Sequence, residues 1–122
     1  MNRRWINPNE ILHPEIFNTK NMILKFAKTR EIAMICDLHG HSAAHNIFMY
    51  GNSIKDDRDE CKIFPYLLSK VNKLFYFDNC SFRMPKNKYG CARINLFNEL
   101  KKYPNIYTME ASFSGCKYVY KK

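Results

Sequence analysis

The sequence lacks any apolar run long enough to cross a membrane. Its apolar stretches, such as 47–50 and 66–68, fall far short of the roughly 20 residues that a membrane-spanning helix needs. No apolar stretch of signal-peptide length follows the basic N-terminus. We therefore expect a soluble protein of the cytoplasm.

Paired cysteines are also lacking. The five cysteines are odd in number and none lies in a Cys-x-x-Cys pair. A disulfide framework favours an even count, and a zinc ribbon needs clustered pairs. We therefore expect free thiols, most of them buried as small apolar groups, at Cys36, Cys61, Cys80, Cys91 and Cys116.

Acidic residues are in the minority, at 11 against 20 basic ones, which gives a formal net charge of +9. An anionic partner is expected, and nucleic acid, an acidic peptide or a membrane surface all fit that sign. The 122 residues, 46% of them hydrophobic, suffice for a single core. No repeat, low-complexity tract or Gly/Ser linker marks a domain boundary.

Apolar spacing predicts three helices, over residues 14–29, 64–71 and 92–101. Pro14 and Glu15 favour the start of the first helix, because proline suits the first position and an acid suits the positive end of the helix dipole. Pro65 restricts the second helix, since proline is tolerated in a first turn and disrupts later ones. The acidic stretch 56–60 precedes that helix.

Two segments are predicted as strands. Residues 32–38 are almost continuously apolar, which is typical of a central, parallel strand buried on both faces. Residues 106–113 alternate in a way that fits a strand. Helices mixed with such strands indicate an α/β fold. The polar residues after 38 would then lie at the sheet edge where open α/β folds bind ligands.

Histidines and one acid are the first candidates for chemistry. His39 and His41, with His45 nearby, are either zinc ligands oriented by a neighbouring carboxylate or loop histidines with ordinary hydrogen bonds. Glu110 lies within an apolar strand. It is either solvated at an edge or held in a site for proton transfer.

Asn2 and Arg3 form the third candidate feature. An amide beside a guanidinium suits recognition of a carboxylate, because arginine offers a planar fork to its two oxygens. A plain basic arm is the alternative.

Four sequence blocks, in order, resemble one known family. They are Asn-Arg-Arg-Trp at 2–5, His-Gly-His-Ser-x-x-x-Asn-Ile-Phe-Met-Tyr-Gly at 39–51, Phe-Pro-Tyr-Leu-Leu-Ser-Lys at 64–70 and Tyr-Thr-Met-Glu-Ala-Ser-Phe at 107–113. The resemblance is to the zinc metallocarboxypeptidases, in particular the cytosolic carboxypeptidases, which trim glutamates from tubulin and other acidic tails. It extends from residue 2 to about residue 115.

The resemblance implies a role for each matching residue. His39 looks like the third zinc ligand, and Glu110 looks like the glutamate that activates water and passes its proton to the leaving amine. Asn2 and Arg3 look like the pair that grips the terminal carboxylate of the substrate. The implied fold is the C-terminal part of a mixed-sheet carboxypeptidase domain with helices packed against the sheet.

Two departures from the family pattern matter. The His-x-x-Glu motif that supplies two zinc ligands, and the arginine that stabilises the oxyanion, lie upstream of the Asn-Arg pair in the family. Residues 1–122 are therefore expected to form a partial domain that needs this upstream half for activity. Ala43 and Ala44 stand where the cytosolic branch carries basic residues, which weakens the expected preference for polyglutamate.

A non-catalytic module that binds acidic protein tails is the alternative function. Nucleic acid is not expected as a partner, because the basic residues are dispersed and no recognised motif appears. A membrane partner is not expected either.

Overall fold

The computed structural model describes residues 2–53, 60–101, 103 and 105–117. Its helices are α1 (Pro14–Thr29), α2 (Glu60–Val71) and α3 (Ala92–Leu100), and its strands are β1 (Ile35–His41), β2 (Ile47–Tyr50) and β3 (Ile106–Ser112). Two short 3₁₀ turns, Phe77–Asn79 and Lys86–Lys88, lie between α2 and α3. The α/β prediction is confirmed. The predicted acidic stretch lies outside the described residues, apart from Glu60.

The three strands form a mixed sheet with β3 in the middle. It pairs in parallel with β1 and antiparallel with β2. In this register His39 of β1 and Phe48 of β2 both lie beside Glu110. Side chains alternate between the two faces of a sheet, so His39 and Glu110 share one face.

The central position predicted for the first strand is wrong within the described residues. The strand begins at Ile35, later than the predicted residue 32, and pairs there only with β3, at an edge. Leu38 is 73% exposed. The apolar cluster that α2 covers includes Cys36 and Met109 but not Leu38. The strand also continues to His41, so that His39 lies inside it and not in a following loop.

Helix α2 begins four residues earlier than predicted and contains Pro65 in its interior. A proline has no N–H to donate to the carbonyl four residues before it, which here belongs to Cys61. The hydroxyl of Tyr107 donates to that carbonyl over 2.9 Å. A tertiary hydrogen bond thus replaces the missing helical one. The sequence prediction placed Pro65 in the first turn because it could not anticipate this tertiary hydrogen bond.

The other two helices confirm their predictions. Helix α1 carries Pro14 in its first turn, as predicted. Helix α3 begins at Ala92 as predicted, and every residue from 92 to 97 is buried. It packs with α1 against the start of β3, around Phe97 and Ile106.

Among the described residues, no helix combines the length and apolar character needed to cross a membrane. All five cysteines are free thiols. The expectation that most of them are buried is wrong. Two are fully buried, Cys61 and Cys91, and Cys116 is exposed.

Candidate functional site

The predicted site residues line one cavity of about 390 Å³ beside the carboxyl-terminal half of β1 and β3. Its lining consists of Asn2, Arg3, His39, Tyr50, Ser81, Arg83, Pro85, Lys88, Cys91, Arg93, Thr108 and Glu110. The four residues to which the resemblance assigns a role are all among them, although they are separated by up to 108 positions in the chain. The topology of the sheet and the course of the N-terminal segment bring them together.

His39 and Glu110 face each other across the β1–β3 pair. The His39 Nδ1 atom lies 3.8 Å from Glu110 Oε1. Glu110 is only 7% exposed, and its Oε2 atom is buried without a hydrogen-bond partner among the described residues. Of the two alternatives for this acid, the solvated edge position is not observed, because β3 is the central strand.

The other nitrogen of the His39 ring has two neighbours. Its Nε2 atom lies 2.8 Å from Asp37 Oδ2 and 3.4 Å from the Asn2 side-chain nitrogen. Asp37 is two residues before His39, and alternate residues of a strand share a face. The sequence spacing therefore puts this carboxylate beside the imidazole.

The N-terminal segment 2–6 is fixed to the rest of the fold by backbone and side-chain contacts. The Asn2 side-chain oxygen accepts a hydrogen bond from the Ala92 N–H over 3.1 Å, at the start of α3. The Trp5 N–H donates to the Gly90 carbonyl over 3.0 Å. A Cβ atom on Gly90 would lie 2.7 Å from the Arg3 carbonyl oxygen, so the two backbones touch. The plain basic arm is therefore not what the fold shows.

Lys20 of α1 also holds segment 2–6 in place through hydrogen bonds. Its buried ammonium donates to the Trp5 carbonyl over 2.6 Å and to the Ile6 carbonyl over 3.1 Å. It also pairs with Glu99 of α3 over 2.6 Å. One ammonium thus joins segment 2–6, α1 and α3.

Arg93 is a site residue that the sequence reasoning missed. It is 6% exposed and donates to the Gly51 carbonyl and, over 2.6 Å, to the Asn52 side-chain oxygen. Within the described ranges no carboxylate forms an ion pair with it. Burial lowers the pKa of Arg93, because loss of water disfavours the charged form. The sequence feature that could have indicated this residue is a basic side chain between two apolar ones, Ala92 and Ile94, in α3.

The cavity is cationic. Arg3, Arg83, Lys88 and Arg93 line it, against the single carboxylate of Glu110. Tyr50 adds a hydroxyl whose pKa is raised, mainly by burial and then by the nearby Glu110. The arrangement suits a ligand with more than one negative charge.

His41 and His45 do not line this cavity. The His41 Nδ1 atom accepts hydrogen bonds from the Ala43 and Ala44 N–H groups over 3.2 and 3.0 Å. Its ring meets Phe48 edge-on with centroids 5.2 Å apart. For His41 the ordinary hydrogen-bonding alternative is the one observed.

The donor atoms present fit part of a catalytic zinc site. An imidazole nitrogen faces a buried carboxylate, one oxygen of which has no partner in the described part of the chain, and this pairing would suit one metal ligand beside a base. Catalytic zinc ordinarily uses three protein ligands. In the part of the chain that the structure describes, no group of three or more His, Cys, Asp or Glu side chains is placed to hold a metal.

Curated relatives align with almost the whole chain, whereas no family model matches it. Cytosolic carboxypeptidase 1 of Xenopus laevis is 33% identical over 132 aligned positions, which cover 95% of this chain and 11% of that protein. Cytosolic carboxypeptidase 2 of Danio rerio is 37% identical, covering 94% and 16%. Cytosolic carboxypeptidase 3 of Bos taurus is 38% identical, covering 94% and 12%.

The chain thus spans between 11% and 16% of the length of these three relatives. Identity of 33–38% over nearly all of its residues agrees with the four motif blocks and with the residues that converge on the cavity. By sequence, the cytosolic carboxypeptidases are homologues of this chain, and the chain matches a short part of their length.

Proposed function

We propose that this chain forms part of a cytoplasmic zinc carboxypeptidase that removes acidic residues, glutamate first, from the C-termini of protein tails such as those of tubulin. The supporting observation is the convergence of Asn2, Arg3, His39 and Glu110 on one cavity. Residues 1–122 would supply one zinc ligand, the general base and the substrate clamp, which is the pair Asn2 and Arg3. The remaining ligands would come from an upstream part of the domain.

Each residue has a task that its surroundings permit. Arg3 and Asn2 would bind the terminal carboxylate, and their segment is held in place before substrate arrives, which limits the entropy lost on binding. His39 would hold zinc, which when bound lowers the pKa of a water and polarises the scissile carbonyl. Glu110 would accept the proton of the attacking water and deliver it to the departing amine. Its buried position excludes bulk water from that transfer.

Arg93 supports the preference for an acidic terminal residue. It is a buried guanidinium without a carboxylate partner among the described residues, and it lines the same cavity as the clamp. A buried charge is costly unless an opposite charge accompanies it. A glutamate side chain would supply that charge. Arg83 and Lys88 offer further cations, in a different place from the family's basic residues at 43 and 44.

Peptide binding to the full chain tests this proposal. Three peptides of one sequence are compared by calorimetry: one ending in glutamate, its C-terminal amide, and one ending in lysine. The glutamate peptide should bind at least about tenfold more tightly than the other two, which corresponds to about 1.4 kcal/mol. Equal affinity for the free acid and the amide would contradict the role of Asn2 and Arg3.

A non-catalytic module for acidic tails is the second candidate. The four cations of the cavity favour it, as does the lack of a three-ligand metal group in the described ranges. Such a module would bind an internal acidic stretch as well as a terminal glutamate. An amidated polyglutamate peptide that binds as tightly as the free acid would therefore favour the module.

A further inference from the structure

Two side chains compete for the same ring nitrogen of His39. The Asp37 carboxylate lies 2.8 Å from Nε2, and the Asn2 amide nitrogen lies 3.4 Å from it. A carboxylate can only accept a hydrogen bond and an amide nitrogen can only donate one, so a neutral ring cannot satisfy both. The shorter contact is also charge-assisted, which makes it the stronger. The Nε2 atom therefore carries the proton and donates it to Asp37.

Protonation of Nε2 determines the state of Nδ1, the other ring nitrogen. A neutral imidazole has one proton, so Nδ1 retains a lone pair. That atom lies 3.8 Å from Glu110 Oε1 and faces the cavity. A metal ligand needs this lone pair, and the hydrogen bond made by the opposite nitrogen decides which one offers it.

The same choice frees the Asn2 amide. Its oxygen already accepts from the Ala92 N–H over 3.1 Å, which turns its NH₂ group toward His39. When Nε2 is protonated, the ring cannot accept from that NH₂. The amide protons then remain for a ligand in the cavity.

We propose that Asp37 is a positioning residue that selects the Nε2–H tautomer of His39. It thereby directs the Nδ1 lone pair into the cavity and keeps the Asn2 amide available for a substrate carboxylate. The value of this selection rests on the proposed function, in which His39 binds zinc. The tautomer itself is a property of the metal-free chain and is measured without any turnover.

Removal of the carboxylate should reverse the tautomer. In Asp37→Ala, Asn2 is the remaining donor next to Nε2, so the proton should move to Nδ1 and Nε2 should accept from Asn2. Adding Asn2→Asp to Asp37→Ala places a carboxylate near Nε2 again. One of its oxygens can still accept from Ala92 N–H. The double variant should therefore restore the Nε2–H form.

The experiment is ¹⁵N–¹H NMR of the histidine rings in the full metal-free chain, at mildly alkaline pH where imidazole is neutral. His39→Gln identifies the His39 signals, and Asp78→Asn, an exposed acid outside the site, is the control for charge. We expect Nε2–H in wild type and Asp78→Asn, Nδ1–H in Asp37→Ala, and Nε2–H again in the double variant. Asp37→Leu, which is close in size and has no acceptor, provides a second variant should Asp37→Ala fail to fold, and the same Nδ1–H form is expected in it.

A wild-type ring protonated at Nδ1, or an unchanged ring in Asp37→Ala, would overturn the proposal. So would a double variant that folds and keeps the Nδ1–H form. Zinc titration of the same variants together with the upstream half of the domain gives an independent measure, with an expected loss of affinity of roughly 10–100-fold in Asp37→Ala. If peptide binding fails while the tautomers behave as described, the proposed function is wrong and the role of Asp37 in orienting the ring stands.

Discussion

His39 and Glu110 occupy paired positions on neighbouring parallel strands, and Nδ1 and Oε1 of the two side chains are 3.8 Å apart. They are 71 residues apart in sequence, and the register of β1 with β3 determines their separation. The site is thus partly a property of the sheet. The proposed clamp residues Asn2 and Arg3 lie instead on the irregular segment 2–6.

The isolated chain should show no carboxypeptidase turnover with added zinc on a glutamate-ended peptide. One histidine holds zinc too weakly, because catalytic sites use three protein ligands. Supplying the upstream half of the domain should restore zinc binding and release of glutamate. In that restored system Glu110→Gln should lower the rate at least about 100-fold, since a general base contributes that much or more. Chelator-sensitive turnover by the isolated chain would contradict this prediction.

Arg93→Met should remove the preference for acidic C-termini. The loss of a buried charged partner costs about 2 kcal/mol or more, so affinity for the glutamate-ended peptide should fall roughly 30-fold. Affinity for a leucine-ended peptide should change little. Arg4→Met, which removes an exposed cation, is the matched control for net charge. Calorimetry with both peptides decides the outcome, and an unchanged ratio of affinities would exclude Arg93 from recognition.

Gly90→Ala should displace the substrate clamp. The new Cβ atom would lie 2.7 Å from the Arg3 carbonyl oxygen, a backbone atom that moves only with its segment. Affinity for the free C-terminal carboxylate should therefore drop about tenfold or more, as misplacement of binding groups is costly. Gly115→Ala is the control, because it strains a φ of +82° in open space by about 1 kcal/mol and leaves the clamp alone. NMR shifts of the Asn2 side-chain amide report the displacement directly.

Much of the fold follows from local patterns. Helix α1 and strand β3 were predicted closely, because proline placement and side-chain alternation are local signals. The position of β1 in the sheet was predicted wrongly. An apolar run does not show how many neighbours a strand has. No residue of β1 is fully buried, and Leu38 is exposed at the edge.

The site was only partly predictable for the same reason. The roles of Asn2, Arg3, His39 and Glu110 were expected from motif blocks, and the structure brings these residues together. Arg93 was missed because nothing in the sequence shows that it is buried with no acidic partner among the described residues. Its burial depends on the packing of α3 against Gly51 and Asn52. No spacing rule in the sequence reports that contact.

The folded chain should lose stability at alkaline pH. Burial raises the pKa of the Cys80 thiol from 9.0 to about 11. Its thiolate is disfavoured in the folded state, so the unfolded state releases this proton first as the pH rises. The free energy of unfolding should therefore fall between about pH 9 and pH 11. Burial also raises the pKa of Tyr107 and Cys36, which act in the same direction.

Cys80→Ala should make this decline shallower, whereas the exposed Cys116→Ala should keep the wild-type slope. Urea unfolding at a series of pH values measures both. A Cys80→Ala profile that is parallel to wild type would show that the thiol is ionised equally well in the folded chain.

Lys20→Met should both destabilise the chain and loosen the substrate clamp. The methionine keeps the length of the side chain but leaves the Trp5 and Ile6 carbonyls without the ammonium that bonds them over 2.6 and 3.1 Å. It also deprives Glu99 of its partner at 2.6 Å. Removing one member of such a buried charged network costs about 3 kcal/mol.

Lys25→Met, on an exposed face of the same helix, should change the free energy of unfolding by less than about 0.5 kcal/mol. Glu99→Gln should be intermediate, because its amide oxygen can still accept from the ammonium. The clamp is assessed under conditions where all variants are folded, by the affinity of the glutamate-ended peptide. That affinity should fall only in the variants that disturb Lys20, since segment 2–6 carries Asn2 and Arg3. If Lys20→Met unfolds at the same urea concentration as Lys25→Met and binds the peptide equally well, Lys20 does not fasten this segment in solution.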